Sequence, residues 1–368
     1  MRAVLLTYLA LVAGVLHADI APETVGTTTL GTPADTWVLV KNALGSAYAY
    51  DAASGDMLGV LSLTPFTPAV QPNIARGEIY AAERYYSRRY RGTRTDVLTI
   101  YDAETLAPTG EIDLPEKIAS LPFRHYINLL GNDRHLAIFN MTPAQSVSIV
   151  DVRDKSFVGE ISTPGCALML PTGERSFLML CGDGALQLIR LNRRGEEAAR
   201  TRSDEFFDID DDPVYDKPVP TPDGWLLVSY EGRVFDVSTD GDDISVGEPW
   251  SILNEEDTEE DWRIGGGQIV ALHRDLDVMY TLMHQGDPYT HEDAGTEIWV
   301  FNRGTQRRIA RITLETPVTN LYITQNDAPL LLTSTEEGQI DIYDGLTTAK
   351  VRTIEKPGVV PAMFQSFK

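Results

Sequence analysis

Positive charge is what this chain has least of. Against 54 aspartates and glutamates stand 31 lysines and arginines, a formal net charge of -23 at pH 7. Phosphate would be repelled by such a surface, which argues against nucleic acid as a partner. The acidity suits a basic partner, or solubility alone. Histidine is scarce too. Of the six, His17 falls in the leader described below, and His125, His135, His273, His284 and His291 do not pair at metal-ligand spacing. Catalytic signatures are also missing: there is no Gly-x-Ser-x-Gly elbow and no P-loop. "RIGGGQ" (263–268) opens an inner strand with no helical pattern behind it, so it is not a dinucleotide fingerprint. Beyond the N-terminus, no stretch stays apolar for the ~20 residues of a membrane-spanning helix.

The N-terminus, "MRAVLLTYLALVAGVLHADIAPE", has Arg2 as a short positive region, an apolar Ala3 to Leu16 and small residues toward Ala18. This is the pattern of a secretory signal peptide over residues 1–18, too short and wrongly flanked for a spanning helix. The chain is therefore expected to be exported. Only two cysteines are present, Cys166 and Cys181, equally spaced about the turn "PTGERS". An antiparallel hairpin places them opposite each other, close enough to bridge in an oxidising compartment. The alternative is two free buried thiols. Neither has a His or Cys neighbour that would favour a metal.

What the chain has in abundance is one phrase. "SVSIVDVRDKSFVGEI" (146–161) is an alternating apolar strand, a polar turn and a second alternating strand. Six more such hairpins begin at Tyr48, Leu98, Leu186, Arg233, Ile298 and Ile340. Asp51, Asp102, Asp151, Asp236 and Asp344 close the first strand of their hairpins and read as turn formers rather than catalysts. Two further apolar runs precede most hairpins, as in "NLYITQND" and "PLLLTSTEEG". The unit is four antiparallel strands at the roughly 40–50-residue period of propeller blades. Seven hairpins predict an all-β, seven-bladed β-propeller over residues 35–368. The first hairpin has a single strand before it (Thr36 to Asn42), and the chain ends in a spare one (Val359 to Phe367). Ring closure follows if the C-terminal strand becomes the innermost strand of the N-terminal blade, removing an edge.

Three segments stand outside the repeat. "DIDDDPVYD" (Asp208 to Asp216) offers hard oxygen ligands but lacks the glycine turn and distal glutamate of a calcium loop, so a solvated acidic loop is expected. "ERYYSRRYRGTRTD" (Glu83 to Asp96) interleaves five arginines with three tyrosines in an acidic chain. It reads as a loop for protein contact through Tyr85, Tyr86, Arg88, Arg89, Tyr90 and Arg91, since Tyr and Arg anchor interfaces. Phe66 lies in the Pro-flanked connection "SLTPFTPAVQPN" (62–73), where no strand face demands a large apolar side chain; it is either an exposed binding residue or core.

From about Asp35 onward the sequence resembles the heavy subunit of the quinoprotein amine dehydrogenases, the methylamine and aromatic amine dehydrogenase family. The resemblance is carried by "SRRYRGTRTDVLTIYDAETLAPTGEIDLP", "PGCALMLPTGERSFLMLCGDG", "WRIGGGQIVALHRDLDVMYTLMHQGD" and "ITQNDAPLLLTSTEEGQIDIYD". It implies a propeller in a periplasmic α2β2 assembly, with no catalytic residue and no cofactor on this chain. The light subunit carries tryptophan tryptophylquinone and oxidises a primary amine to aldehyde and ammonia. Electrons leave to a cupredoxin (amicyanin or azurin) or a cytochrome c. It also implies that Phe66 projects toward the light subunit at the substrate channel. Two departures stand out: residues 19–34 form a short extension where the methylamine enzymes have a longer one, and Asn254 to Asp261 is unusually acidic. The other reading is an exported stand-alone propeller acting as a binding scaffold, since one fold hosts many functions.

Overall fold

The computed structural model describes residues 29–42, 44–358 and 360–367; the signal-peptide segment 1–18 and the first part of the extension lie outside the described residues. Seven antiparallel sheets follow one another around a ring. Blade 1 runs from Met363–Ser366 inward to Trp37–Lys41, Ala47–Asp51 and Met57–Leu61 outward. Blade 2 is Val70–Asn73, Glu78–Arg88, Arg91–Asp102 and Pro108–Leu114. Blade 3 is Ile127–Leu129, His135–Asn140, Ser146–Asp151 and Ser156–Ser162, and blade 4 is Cys166–Thr172, Ser176–Cys181, Leu186–Leu191 and Glu197–Arg202. Blade 7 is Asn320–Ile323, Leu330–Ser334, Ile340–Asp344 and Lys350–Ile354.

Blades 5 and 6 contain five strands each but keep four positions. In blade 5 (Val219–Pro220, Gly224–Val228, Arg233–Asp240), the outer position is shared by Asp243–Val246 and Trp250–Ser251. In blade 6 (Val278–Gln285, Gly295–Asn302, Arg307–Val318), the inner position is split into Trp262–Ile264 and Val270–His273. The split falls at the glycine run of "RIGGGQ". Gly266 has φ +118, and a Cβ there would lie 2.8 Å from the Thr319 carbonyl of blade 7. Glycine is therefore required for two inner strands to approach.

Alternation explains the stacking. Val38 and Val40 pack toward blade 7 with Ile340, Ile342 and Phe364, whereas Leu39 packs toward blade 2 with Val70 and Ile79. Both faces of a blade are buried, so its middle strands are apolar nearly throughout. The C-terminal strand closes the ring by pairing Val38 to Lys41 with Met363 to Ser366. Gln365 then bonds Val70 N and O of blade 2 across the seam, at 3.3 and 3.1 Å.

The turns show where local reading held. Asp51, Asp102, Asp151 and Asp344 each accept a hydrogen bond from the amide two residues on. Asp236 does not turn the chain. Its strand continues to Asp240, and Asp236 instead receives Arg303 from blade 6 at 2.7 Å. Cys166 and Cys181 are paired and form a disulfide. The turn itself is centred on Glu174, one half-step away from the symmetric point. An extra residue in the first strand, a bulge at Leu168 (φ +59), restores the register before the cysteines meet.

Candidate functional site

Strand direction alternates within a blade, so the turns between strands two and three and the connections between blades all emerge at one end. The segments set apart in the sequence gather there: the 62–69 connection with Phe66, the tip of the 83–96 segment, the acidic 203–218 and 252–261 connections and the 286–294 turn. Exposed large side chains mark the same end, among them Phe66 (40%), Tyr90 (64%), Met141 (41%) and Tyr289 (89%).

Phe66 sits on a tight turn with φ +65, its ring outward. The turn is closed from Thr64 to Thr67: Thr67 donates its amide and its hydroxyl to the Thr64 carbonyl, at 3.3 and 2.8 Å. Blade 2 holds it in place. The Thr64 amide donates to Glu83 Oε1 at 2.7 Å, and Glu83 is only 1% exposed. Its other oxygen accepts from the Tyr101 hydroxyl at 2.9 Å and the Tyr85 hydroxyl at 3.3 Å. Burial and then Glu83 push the Tyr85 phenol up to about 12. Burial pushes Tyr101 higher still, again reinforced by Glu83. Sequence reading missed Glu83 and Tyr101 as the supports of the Phe66 turn. Glu83 opens the segment that reads as a contact loop, and its alternate spacing from Ile79 and Ala81 was the signal that pointed inward.

The Arg/Tyr segment is not a loop. Glu78–Arg88 and Arg91–Asp102 pair up to Arg88 and Arg91, forming a two-stranded ribbon that extends beyond the blade. A short tip makes this possible: Arg89 has φ +63, Gly92 has φ +100, and Ser87 Oγ accepts the Thr93 amide at 3.0 Å. At the base, Arg94 grips buried Asp96 with two 2.6 Å bonds, and Asp96 also accepts the Ile118 amide at 2.9 Å. Along the ribbon, Arg84 lies 5.3 Å from the Tyr86 ring and Arg89 5.5 Å from the Tyr90 ring. Arg88, Arg89 and Arg91 are exposed and form no ion pair among the described residues. The Tyr85 hydroxyl, by contrast, is turned inward to Glu83.

The acidic segments are ordered by specific contacts. Asn254 to Asp261 is not a plain loop, because Glu255–Glu259 is a single helical turn with a capping box between Asn254 and Asp257. Buried Asp257 receives Arg308 of blade 6 at 2.8 Å, and the Arg308 guanidinium lies 4.1 Å from the Trp299 ring. In 208–216, Asp208 caps a turn through the Asp210 and Asp211 amides, while buried Asp212 accepts Arg233 and the Glu231 amide. Among the described residues, no three His, Cys, Asp or Glu side chains converge as a metal site. No helix among them is long and apolar enough to cross a membrane.

Fold and surface together define a seven-bladed propeller with its long connections gathered at one end, carried on inter-blade packing. The family described as methylamine dehydrogenase heavy chain (MADH) matches residues 40–367, and the chain belongs to that family. It is 26% identical over 326 residues to the methylamine dehydrogenase heavy chain of Methylophilus methylotrophus, covering 86% of this chain and 79% of that one. To the corresponding heavy chain of Paracoccus versutus it is 28% identical over 327 residues, covering 87% and 75%. Among solved structures, a functionally unknown protein from Desulfotomaculum acetoxidans superposes with a TM-score of 0.62 at 10% identity, covering 90% of this chain and 98% of that one. The Cps50 (Swd1) β-propeller domain of Myceliophteria thermophila gives 0.56 at 12% identity, covering 86% and 95%. These two likenesses concern the fold alone.

Proposed function

We propose that the chain is the heavy subunit of a periplasmic, tryptophan tryptophylquinone-dependent amine dehydrogenase. The observation that carries this is the family match from residue 40 to residue 367, nearly the whole propeller. In this reading the quinone and the catalytic groups reside on a small light subunit in an α2β2 assembly, and the quinone supplies the oxidation of a primary amine to aldehyde and ammonia. A cupredoxin or a cytochrome c then takes the electrons. This chain contributes shape and charge. The end that carries Phe66 and the Arg/Tyr ribbon docks the light subunit, and the Phe66 ring, held outward by the Thr64–Glu83 bond, narrows the path to the reacting centre.

Co-expression tests the reading. The chain is produced with and without a small exported, cysteine-rich light subunit and the genes that mature the quinone. A co-purifying complex with quinone absorbance and dye-linked amine oxidation is expected, with no oxidation by the chain alone. Amine turnover by the isolated chain, or no co-purifying small subunit, overturns the assignment.

A further inference from the structure

The innermost strands of the blades face one another around the axis of the ring. Several of their residues stay partly exposed although the ring encloses them, among them Gln71, Leu129, Ala167, Val219 and Tyr322. None of these five carries a formal charge. Arg124 joins them from the short turn Arg124–Tyr126, immediately ahead of the inner strand of blade 3. Its Nη1 donates to the Ile127 carbonyl and to Asn128 Oδ1 at 3.2 and 3.3 Å, and its Nη2 reaches Gln71 Oε1 of blade 2 at 3.4 Å. All three bonds are long, and all three acceptors are neutral. They leave two of the five guanidinium N–H groups unspent, on Nε and Nη2, along one edge of the group. Arg124 forms no ion pair among the described residues. An enclosed cation without a counter-charge is a costly state.

The far side of the axis adds to the imbalance. Burial pushes the Tyr322 phenol of blade 7 up, and Ser366, Arg274 and Arg124 offset part of that rise. Arg274 follows the strand Val270–His273 of blade 6, and its Nε donates to the neutral Gln325 Oε1 at 3.1 Å. Two guanidinium groups thus act on one phenol, and no carboxylate acts on that phenol or on Arg124. Burial accordingly lowers the Arg124 pKa to about 10. In a chain of net charge -23, the axis has the opposite sign.

Charge and shape select what would fill such a place. One negative charge balances Arg124, whereas a dianion would leave an excess charge enclosed. Two parallel N–H groups on one planar edge match the two oxygens of a carboxylate, which a spherical halide cannot do. We propose that the axial channel binds a small monocarboxylate, its two oxygens on the free Nε and Nη2 edge of Arg124, where blades 2, 3 and 7 meet. The bound anion acts as a counter-ion inside the ring and stabilises the closed propeller by mass action. The inference does not rest on the proposed subunit role, since every residue it uses belongs to this chain.

The test uses the full chain, as wild type, Arg124→Lys and Arg124→Met. Melting temperatures are recorded as sodium formate replaces sodium chloride at constant ionic strength, and again with sodium sulfate in place of formate. Formate is expected to raise the wild-type melting temperature along a saturating curve, by about 2 °C or more. Arg124→Lys keeps the charge but loses the planar edge, so its half-saturating formate concentration should rise by about fivefold or more. Arg124→Met should show no saturable response. Should the methionine variant fail to fold, the lysine variant decides alone. A smaller shift in Arg124→Lys, a saturable response in Arg124→Met, a larger rise with sulfate than with formate, or no saturable response in wild type overturns the proposal.

Discussion

Two side chains carry consequences out of proportion to their size. Phe66 is held outward on a left-handed turn by Thr64 and Glu83, so truncation removes a ring without disturbing a core. In the assembled enzyme, Phe66→Ala is expected to change the ratio of kcat/KM for bulky over small primary amines by about tenfold, the scale of shape discrimination by an apolar wall. Identical specificity profiles would remove Phe66 from the substrate path. Lys41 is the opposite case, a cation buried at 0% exposure whose ammonium donates, among the described residues, to the Asn42 carbonyl at 2.9 Å. Burial lowers its pKa from 10.5 to about 8. Between those two values the unfolded chain binds the extra proton, so stability rises with pH across that window, and the full penalty stands below it. Lys41→Met is expected to be the more stable protein at pH 7, by on the order of 3 kcal/mol. The gap should narrow as pH rises from 8 to 9.5. Denaturant titrations of both proteins read the difference directly, which cancels the tyrosines that act in the opposite sense above pH 10. A pH-independent gap would show that Lys41 carries the same charge folded and unfolded, so that burial does not lower its pKa.

At the scale of elements, the ribbon and the acidic helix are both insertions tied to a blade by one buried ion pair. Asp96 anchors the ribbon through Arg94, and Asp257 anchors the helix through Arg308. Their outer ends differ in charge: three unpaired arginines on the ribbon tip, acids on the helix. Reversing Arg88, Arg89 and Arg91 together to Glu is expected to leave the melting temperature within about 2 °C, because exposed positions away from packing cost little. Association with the light subunit should slow by about tenfold or more at low salt, as for charges that steer docking. Unchanged association kinetics would take the ribbon out of the interface.

For the whole molecule, closure is decisive. Met363–Ser366 supplies the innermost strand of blade 1, with Phe364 at 1% and Phe367 at 0% exposure. Deleting residues 359–368 uncovers the inner edge of Trp37–Lys41 and forfeits two fully buried phenylalanines. The loss is about 5 kcal/mol or more, and soluble yield should collapse. A truncated chain that melts at the wild-type temperature would show that the ring closes some other way.

Strand alternation and turn chemistry are local, so residues a few positions apart in the chain already determined seven blades and the meeting of Cys166 with Cys181, and the count of strands left the C-terminal one to complete the first blade. Asp51, Asp102, Asp151 and Asp344 turn the chain as their positions suggest, while Asp236 does not because its strand runs on to Asp240; its carboxylate receives Arg303 from the next blade instead. Charge in the sequence says nothing about burial. Glu83 and Asp96 bound a stretch that reads as a contact loop, Asp257 lies in an acidic stretch and Lys41 in an ordinary strand, and the stacking of one sheet on the next took all four out of water. Burial between blades is a property of the closed ring, and no single repeat contains it.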